Sequence, residues 1–407
     1  MPRFFGWVFV NHLTGCAVSR GSRTRSRRIE VAGTIYTDSP KEGYYKVGKW
    51  QDYVSLLRCL DCGSDLRLDD APKRFGEYPL VNAELACSCC DRIYPLCDDI
   101  PVMFRDAERT RALIDPSSHP EMVEKAEQAV REAIRLNLTG DQLAAVRREE
   151  NQQLDALSWE LLFWEQWKGP EKKWHILDKE TIEEYLARDT DSGGRLRFLG
   201  RVLSLEGNSG GKRLLNIGAG KDLILERLLS NGFNVVEQDI ILDSLLLLKQ
   251  RQAGFCVCCD ARALPFKDDS FDVSTSLGVL HHIWPLEEPL SELLRVTTGN
   301  VHINEPNSFA STRAALILPG FVKRRMRAIF SGDHTHSPYE QTISPMAFKR
   351  LARGLGAQVV DYQFPRSGWI RPGATGMKRV FRIIEQAAVR SIPMLSSHFE
   401  IVLRKTT

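Results

Sequence analysis

The 407-residue chain has no apolar run approaching the roughly 20 residues needed to span a bilayer. Phe4 to Val10 is an apolar septet behind one arginine, but it lacks a convincing cleavage region and leads into an arginine-rich stretch. Export by a signal peptide is therefore not expected, and a cytoplasmic location is. Charge of one sign is not in excess either. The formal net charge is +3, so composition gives no argument for bulk nucleic-acid binding. Local charge is uneven, with Arg20, Arg23, Arg25, Arg27 and Arg28 set among Ser, Thr and Gly. That run reads either as an electrostatic arm for RNA or anionic lipid or as a disordered basic tail. Residues 1–45 are expected to lie outside the folded core. At 43% hydrophobic, the remainder is long enough for two domains or one elaborated domain.

Another absence lies in the most informative stretch, 212–283. Arg213 to Ile217 read as a short buried strand, broken by Gly218-Ala219-Gly220. Leu223 to Leu229 read as a helix closed by Gly232. Further strands are expected at Asn234 to Gln238, Phe255 to Cys259 and Phe271 to Ser276, followed respectively by Asp239, Asp260 and Leu277-Gly278. Strands alternating with helices imply a parallel α/β sheet, with a ligand outside the carboxyl ends of the strands. Asp239 stands 21 residues beyond Gly218, where an acidic side chain meets a ribose hydroxyl pair. A dinucleotide fingerprint wants a third glycine at position 223, and that residue is leucine. The missing glycine weakens a pyrophosphate ligand and favours a nucleoside without phosphates. Asp260 could then accept a hydrogen bond from an exocyclic adenine amine.

Four segments carry a resemblance: Leu-Leu-Asn-Ile-Gly-Ala-Gly (214–220), Val-Val-Glu-Gln-Asp (235–239), the stretch 260–273 beginning Asp-Ala-Arg-Ala-Leu-Pro-Phe, and Leu-Gly-Val-Leu-His-His-Ile (277–283). In this order they resemble class I S-adenosylmethionine-dependent methyltransferases, notably the ubiquinone and menaquinone biosynthesis type. The resemblance implies a Rossmann-like, seven-stranded mixed sheet with the last strand antiparallel. It also implies a cofactor site at Asn216, Gly218, Ala219, Gly220, Asp239, Ile240, Asp260, Ala261, Leu277 and Gly278. Lys221-Asp222 depart from the family, which often has a glycine and a small residue there. His281 and His282 fall at the mouth where the methyl group lies. Either could act as a general base or simply flank the cofactor. A fifth strand, Val301 to Asn304, ends near Glu305, and the last two strands are expected at Gln358 to Gln363 and His398 to Arg404.

Cysteine is not scarce, and its spacing matters. Cys59-Leu-Asp-Cys62 and Cys87-Ser-Cys-Cys90 are two hooks of the structural zinc-ribbon kind, with Gly63 suiting the first turn. Disulfides are the alternative reading. Cys89 could replace a neighbouring ligand, and Cys97 is a weaker candidate. Residues 54–104 resemble the small zinc-ribbon protein that activates several methyltransferases, and the ribbon fused ahead of some bacterial ones. A closed four-cysteine site has no open coordination position, so a structural Zn2+ is expected there and no chemistry. The rim Ile100 to Phe104 is expected to pack on the catalytic domain or on a protein partner.

Between these parts, 105–211 reads as a helical lid or linker segment. Met122, Ala126, Val130, Ile134 and Leu138 form a stripe spaced by four after Pro120. Trp159, Phe163, Trp164, Trp167 and Trp174 read either as a lid over an acceptor or as core. Arg313, Lys323, Arg324, Arg325 and Arg327 form a basic face, and His334 with His336 invites a metal reading that two histidines alone do not secure. The resulting division is a ribbon at 50–104, the helical segment, and a cofactor-binding domain at 212–407. The expected function is methyl transfer from S-adenosylmethionine to a small-molecule or lipid-like acceptor. The alternatives are an RNA or protein acceptor, or a catalytically inactive cofactor-binding protein that uses the ribbon to hold a partner.

Overall fold

The computed structural model describes residues 29–31, 34–36, 51–70, 75, 80–135, 155–161, 192–207, 210–220, 231–250, 254–307, 343–365, 380, 383, 387 and 390–406. The chain divides into two compact units, Met1–Gly43 and Tyr44–Thr407. In the first, β1 (Ile29–Val31) pairs antiparallel with β2 (Thr34–Tyr36). The arginine run at 20–28 lies outside the described residues, as do the helix expected at 223–229, the aromatics 163–174 and the basic and histidine-bearing stretch 313–336.

The second unit is built on a sheet of β3 (Leu66–Asp69), β4 (Val81–Cys87), β5 (Ile93–Cys97), β6 (Ile100–Met103), β7 (Arg213–Ile217), β8 (Asn234–Asp239), β9 (Phe255–Cys259), β10 (Phe271–Leu277), β11 (Thr297–Pro306), β12 (Ala357–Gln363) and β13 (His398–Lys405). Its order is β12-β13-β11-β10-β7-β8-β9-β6-β5-β4-β3. Strands β7 to β11 run parallel, whereas β13 lies antiparallel between β11 and β12. Those seven strands have the expected Rossmann-like mixed topology. Successive residues alternate faces, and both faces are covered, which is why Leu214, Leu215 and Ile217 are all buried. One layer contains Phe198, Leu199 and Val202 of α4 (Ser192–Glu206) and Leu245 and Leu248 of α5 (Leu242–Gln250). The opposite layer contains Leu290 and Leu293 of α6 (Glu287–Val296) and Phe348 of α7 (Pro345–Gly354).

Eleven strands stand where seven were expected, and the reason is the edge of β9. An unpaired edge exposes a row of N–H and C=O groups. Val102 and Met103 of β6 fill it, pairing parallel with Cys258 and Cys259. The cysteine-bearing segment thus continues the parallel sheet. It also holds the loop after β9. Arg58 N–H donates to the Pro265 carbonyl at 2.8 Å, and Lys267 N–H to the Leu56 carbonyl at 2.8 Å. Tyr53, on the short helix α1 (Gln51–Val54), stacks on Phe255 with ring centroids 4.9 Å apart. Leu57, Leu85, Tyr94 and Met103 share one apolar cluster with Ile217, Val257 and Phe266. Full burial of one such side chain contributes about 1.5–3 kcal/mol, so this junction is part of the core.

In the helical segment, α2 (Ala107–Ile114) is capped by Asp106, whose carboxylate accepts from the N–H groups of Glu108 and Arg109. The helix α3 (Pro120–Arg135) starts on proline, as its sequence requires. Met122, Ala126 and Val130 of the expected stripe pack with Ala112, Leu157 and Leu161. The Ile134 side chain and Leu138 lie outside the described residues.

Candidate functional site

Four parallel strands bring the sequence-selected residues to one edge of the sheet. After β7 the chain turns through Gly218 (φ 65°) and Gly220 (φ 50°), a left-handed conformation that glycine adopts without penalty. Gly218 also has no room for a side chain, because a Cβ there would lie 2.2 Å from Val279 Cγ2. At Gly220 the nearest atom to such a Cβ is 3.9 Å away, leaving open space beside bare backbone. Ala219 N–H donates to the Gln238 carbonyl at 2.9 Å, locking the turn to β8.

Asp239 ends β8, and its carboxylate closes the adjoining loops. Oδ2 accepts from Gly220 N–H at 2.8 Å, and Oδ1 from Ile241 N–H at 3.0 Å. A carboxylate has about four lone-pair sites, so a ligand hydroxyl can still be received. Burial pushes its pKa up, while the backbone donors act the other way. Ile240 follows it, half-buried, and Ser244 Oγ donates to the Gly220 carbonyl at 2.8 Å. Asp260 follows β9, but both its oxygens are engaged by Arg262, whose Nη2 lies 2.6 Å from Oδ2. Ala261 is buried beside it, and Leu277 and Gly278 are half-buried beyond β10. Asn216 is placed differently. Its Nδ2 donates to Glu237 Oε2 at 2.7 Å and its Oδ1 accepts from Thr275 at 2.8 Å, so the amide bridges β8, β7 and β10 within the sheet.

Past Gly278 lies the imidazole pair. Glu305, fully buried at the end of β11, accepts from the N–H groups of Val279, Leu280 and His281 at 3.0, 2.8 and 3.3 Å. Its Oε2 is also 2.8 Å from His281 Nδ1. A carboxylate accepts, so in the neutral ring the Nδ1 proton sits on this bond. The His282 ring lies 3.9 Å from that of His281, and Trp159 meets it edge to face at 5.4 Å. One member of the aromatic cluster therefore reaches the imidazole pair. Its sequence signal was the cluster itself, which did not say which ring would do so.

Residues 215–303 match the methyltransferase-domain family. The chain carries a class I methyltransferase domain. A demethylmenaquinone methyltransferase from Renibacterium salmoninarum is 32% identical over 132 residues, 32% of this chain and 56% of that protein. Another from Beutenbergia cavernae is 35% identical over 114 residues, 28% of this chain and 48% of its own length. The chain spans about half the length of these curated relatives. Among solved structures, a SAM-dependent methyltransferase from Archaeoglobus fulgidus is similar at 21% identity and a TM-score of 0.36, covering 60% of this chain and 99% of that one. A Haloferax volcanii complex of the Trm112 methyltransferase activator with a methyltransferase is similar at 14% identity and a TM-score of 0.40, covering 57% and 100%.

Beside the methyltransferase domain, the sulfurs of Cys59, Cys62, Cys87 and Cys90 all lie within 4.8 Å of one another. Cys59 and Cys90 are 3.7 Å apart, and Cys62 and Cys87 3.4 Å. Tetrahedral Zn–S bonds of about 2.3 Å would separate sulfurs by about 3.8 Å, so the spacing fits. The N–H groups of Cys89 and Cys90 both point at Cys87 Sγ, at 3.3 and 3.4 Å, as suits a thiolate. Cys89 itself is exposed and outside the cluster, and Cys97 is buried in β5. No disulfide joins the described cysteines. Among the described residues, no helix is long and apolar enough to cross a membrane.

Helix α4 and the strands it packs on contain polar residues that sequence reading passed over. Arg201 of α4 reaches Glu400 at 2.7 Å and Asp361 at 2.5 Å. Glu206 accepts from Asn300 and from His302, each at 2.7 Å. Burial opposes its charge, but those bonds and nearby Lys212 hold its carboxyl below the usual range. These partners are 94 to 199 residues apart in the chain, a distance at which no local pattern announces a contact.

Proposed function

We propose that the protein is an S-adenosylmethionine-dependent methyltransferase acting on a small-molecule or lipid-like acceptor, with a structural Zn2+ in its ribbon. The observation that carries this reading is the alignment of Gly218–Gly220, Asp239, Ala261 and Leu277–Gly278 along one sheet edge, next to an imidazole held by a buried carboxylate. Asp239 receives a ribose hydroxyl with its remaining lone pairs, and the open side of Gly220 takes the cofactor against bare backbone. Ile240, Ala261, Leu277 and Gly278 line the nucleoside. An adenine amine at Asp260 has to compete with Arg262 for the carboxylate. Asn216 serves the site indirectly, by tying the three strands that present it. Cys59, Cys62, Cys87 and Cys90 hold the zinc.

When bound, the cofactor supplies a methyl group already activated by its sulfonium. The protein's share is alignment, exclusion of water and removal of a proton from the acceptor. His281 takes that proton at Nε2, and Glu305 holds the ring in the required tautomer and stabilises the resulting imidazolium. A base is needed for a hydroxyl or a carbon acid, and the demethylmenaquinone methyltransferases among the relatives support a small-molecule acceptor.

The test is transfer of a labelled methyl group to a demethylated naphthoquinone and to a small-molecule cell extract. One labelled product is expected. His281→Gln should lower kcat by about 10²–10⁴-fold and flatten the acid limb of the pH profile. The cofactor Kd should stay within about threefold. Turnover that is unchanged in this variant removes the base assignment. Cofactor binding by the wild type with no product from any acceptor supports the inactive, partner-holding alternative instead.

A further inference from the structure

Glu160 is a buried carboxylate that the reading above leaves without a task. It lies on the helical stretch 156–161 and is 0% exposed. Oε2 accepts from Leu242 N–H at 2.9 Å and Oε1 from Asp243 N–H at 3.0 Å. These are among the orphan donors at the start of α5, which a residue just before the helix ordinarily satisfies. Here the residue ahead of the helix that does so is Asp239, and it takes Ile241 N–H. Two carboxylates 79 positions apart therefore close one helical turn, and the second oxygen of Asp239 reaches on to Gly220. Burial first, and then neighbouring Asp243, hold the Glu160 proton affinity well above that of an ordinary carboxylate. A solvated surface contact has no such signature.

The stretch that carries Glu160 is anchored on its other side. Leu157 and Leu161 pack with Ala112 of α2 and with Ala126 and Val130 of α3. Asp155 accepts from Ser158 N–H at 2.8 Å and pairs with Arg109 at 2.8 Å. Trp159, the residue before Glu160, meets the His282 ring. One dipeptide thus touches both the loop that starts at Asp239 and the imidazole pair.

We propose that Glu160 is a positioning residue that couples the cofactor-ribose loop to the catalytic mouth, with Trp159 as its contact to His282. This rests on Asp239 being the ribose acceptor. The coupling runs through backbone. Glu160 sets the first turn of α5, that turn sets Ile241, and Ile241 fixes one oxygen of Asp239. A glutamine at 160 can accept from one N–H only and turns an amide group toward the other.

The experiment is a double-mutant cycle in cofactor affinity, titrating S-adenosylmethionine into wild type, Glu160→Gln, Asp239→Asn and the pair, with ligand up to millimolar. Glu160→Gln should weaken binding about tenfold in the wild-type background and less than about twofold beside Asp239→Asn. The imidazole NMR signals of His282 should shift in Glu160→Gln without ligand, and Trp159→Phe assigns that contact. Equal losses in both backgrounds, or His282 signals unmoved by Glu160→Gln, overturn the coupling. Failure of the wild type to bind overturns the cofactor reading and this inference with it, whereas wild-type binding with an unaffected Glu160→Gln overturns the inference alone. Glu160→Asp, which keeps a carboxyl group and is one methylene shorter, is the substitute should the glutamine variant not fold, with a smaller loss in the same direction.

Discussion

Stripping the metal from the purified protein with a chelator should lower its Tm by more than about 10 °C and weaken S-adenosylmethionine binding by at least about tenfold. Apparent binding free energies of structural Zn2+ are about 10–16 kcal/mol, as large as the whole stability of a typical domain. In a ribbon joined by a flexible linker, that loss would stay local. Here Leu57, Leu85, Tyr94 and Met103 share a core with the parallel sheet, and β6 closes the edge of β9. Arg58, directly before the first ligand Cys59, is bonded to Pro265 in the loop that follows Asp260 and Ala261. Unfolding the hooks therefore releases the loop proposed to hold the adenine. Cys62→Ser should reproduce the chelation result. Cys89→Ser should retain one zinc per chain with an unchanged Tm, since that thiol is exposed and outside the cluster. Differential scanning calorimetry with metal analysis separates the two variants, and loss of zinc from Cys89→Ser would show that the ligand set is wrong.

Gly218→Ala and Gly220→Ala should fail in different ways. At Gly218 the new Cβ would sit 2.2 Å from Val279 Cγ2 and 2.7 Å from Cγ1, in a left-handed backbone. The conformation costs about 1–2 kcal/mol. Overpacking adds about 1–3 kcal/mol, so the whole change is expected to cost about 3 kcal/mol. Val279→Ala should restore part of it. Gly220→Ala meets no atom closer than 3.9 Å, so its stability loss should stay near the conformational cost. Its methyl group, however, occupies the space assigned to the cofactor, and affinity should fall at least about tenfold. Denaturant titration beside cofactor binding distinguishes the outcomes. Equal effects of the two alanines on both quantities would contradict the geometry.

What the sequence conveyed and what it withheld follow from the range of the interactions. Strand ends were legible because burial on both faces gives short apolar runs, and because Gly218 and Gly220 mark a turn that other residues enter only with strain. The four-cysteine cluster was legible because two short hooks fix their own geometry. Cys89 was ambiguous for the same reason, and only the fold of the hook turned it outward. The union of ribbon and sheet was not legible. The apolar rim Ile100 to Phe104 announced that it would pack, but not that Val102 and Met103 would become a strand beside Cys258 and Cys259. Glu160 gave no signal at all, since its partners Leu242 and Asp243 contribute backbone N–H groups, which look the same at every position. Glu305 was expected just past the end of the fifth strand, yet its bond to His281 depends on a loop whose shape the sequence does not specify.

The most direct measurement is calorimetric titration of zinc-replete protein with S-adenosylmethionine, with Asp239→Ala alongside. Removal of that side chain deletes the proposed ribose acceptor and frees the N–H groups of Gly220 and Ile241. The account predicts micromolar-range binding by the wild type, with affinity falling as acid pH protonates Asp239 from above the ordinary carboxylate range. It predicts no measurable binding by the variant. Tight binding by Asp239→Ala, or none by well-folded wild type, would contradict it.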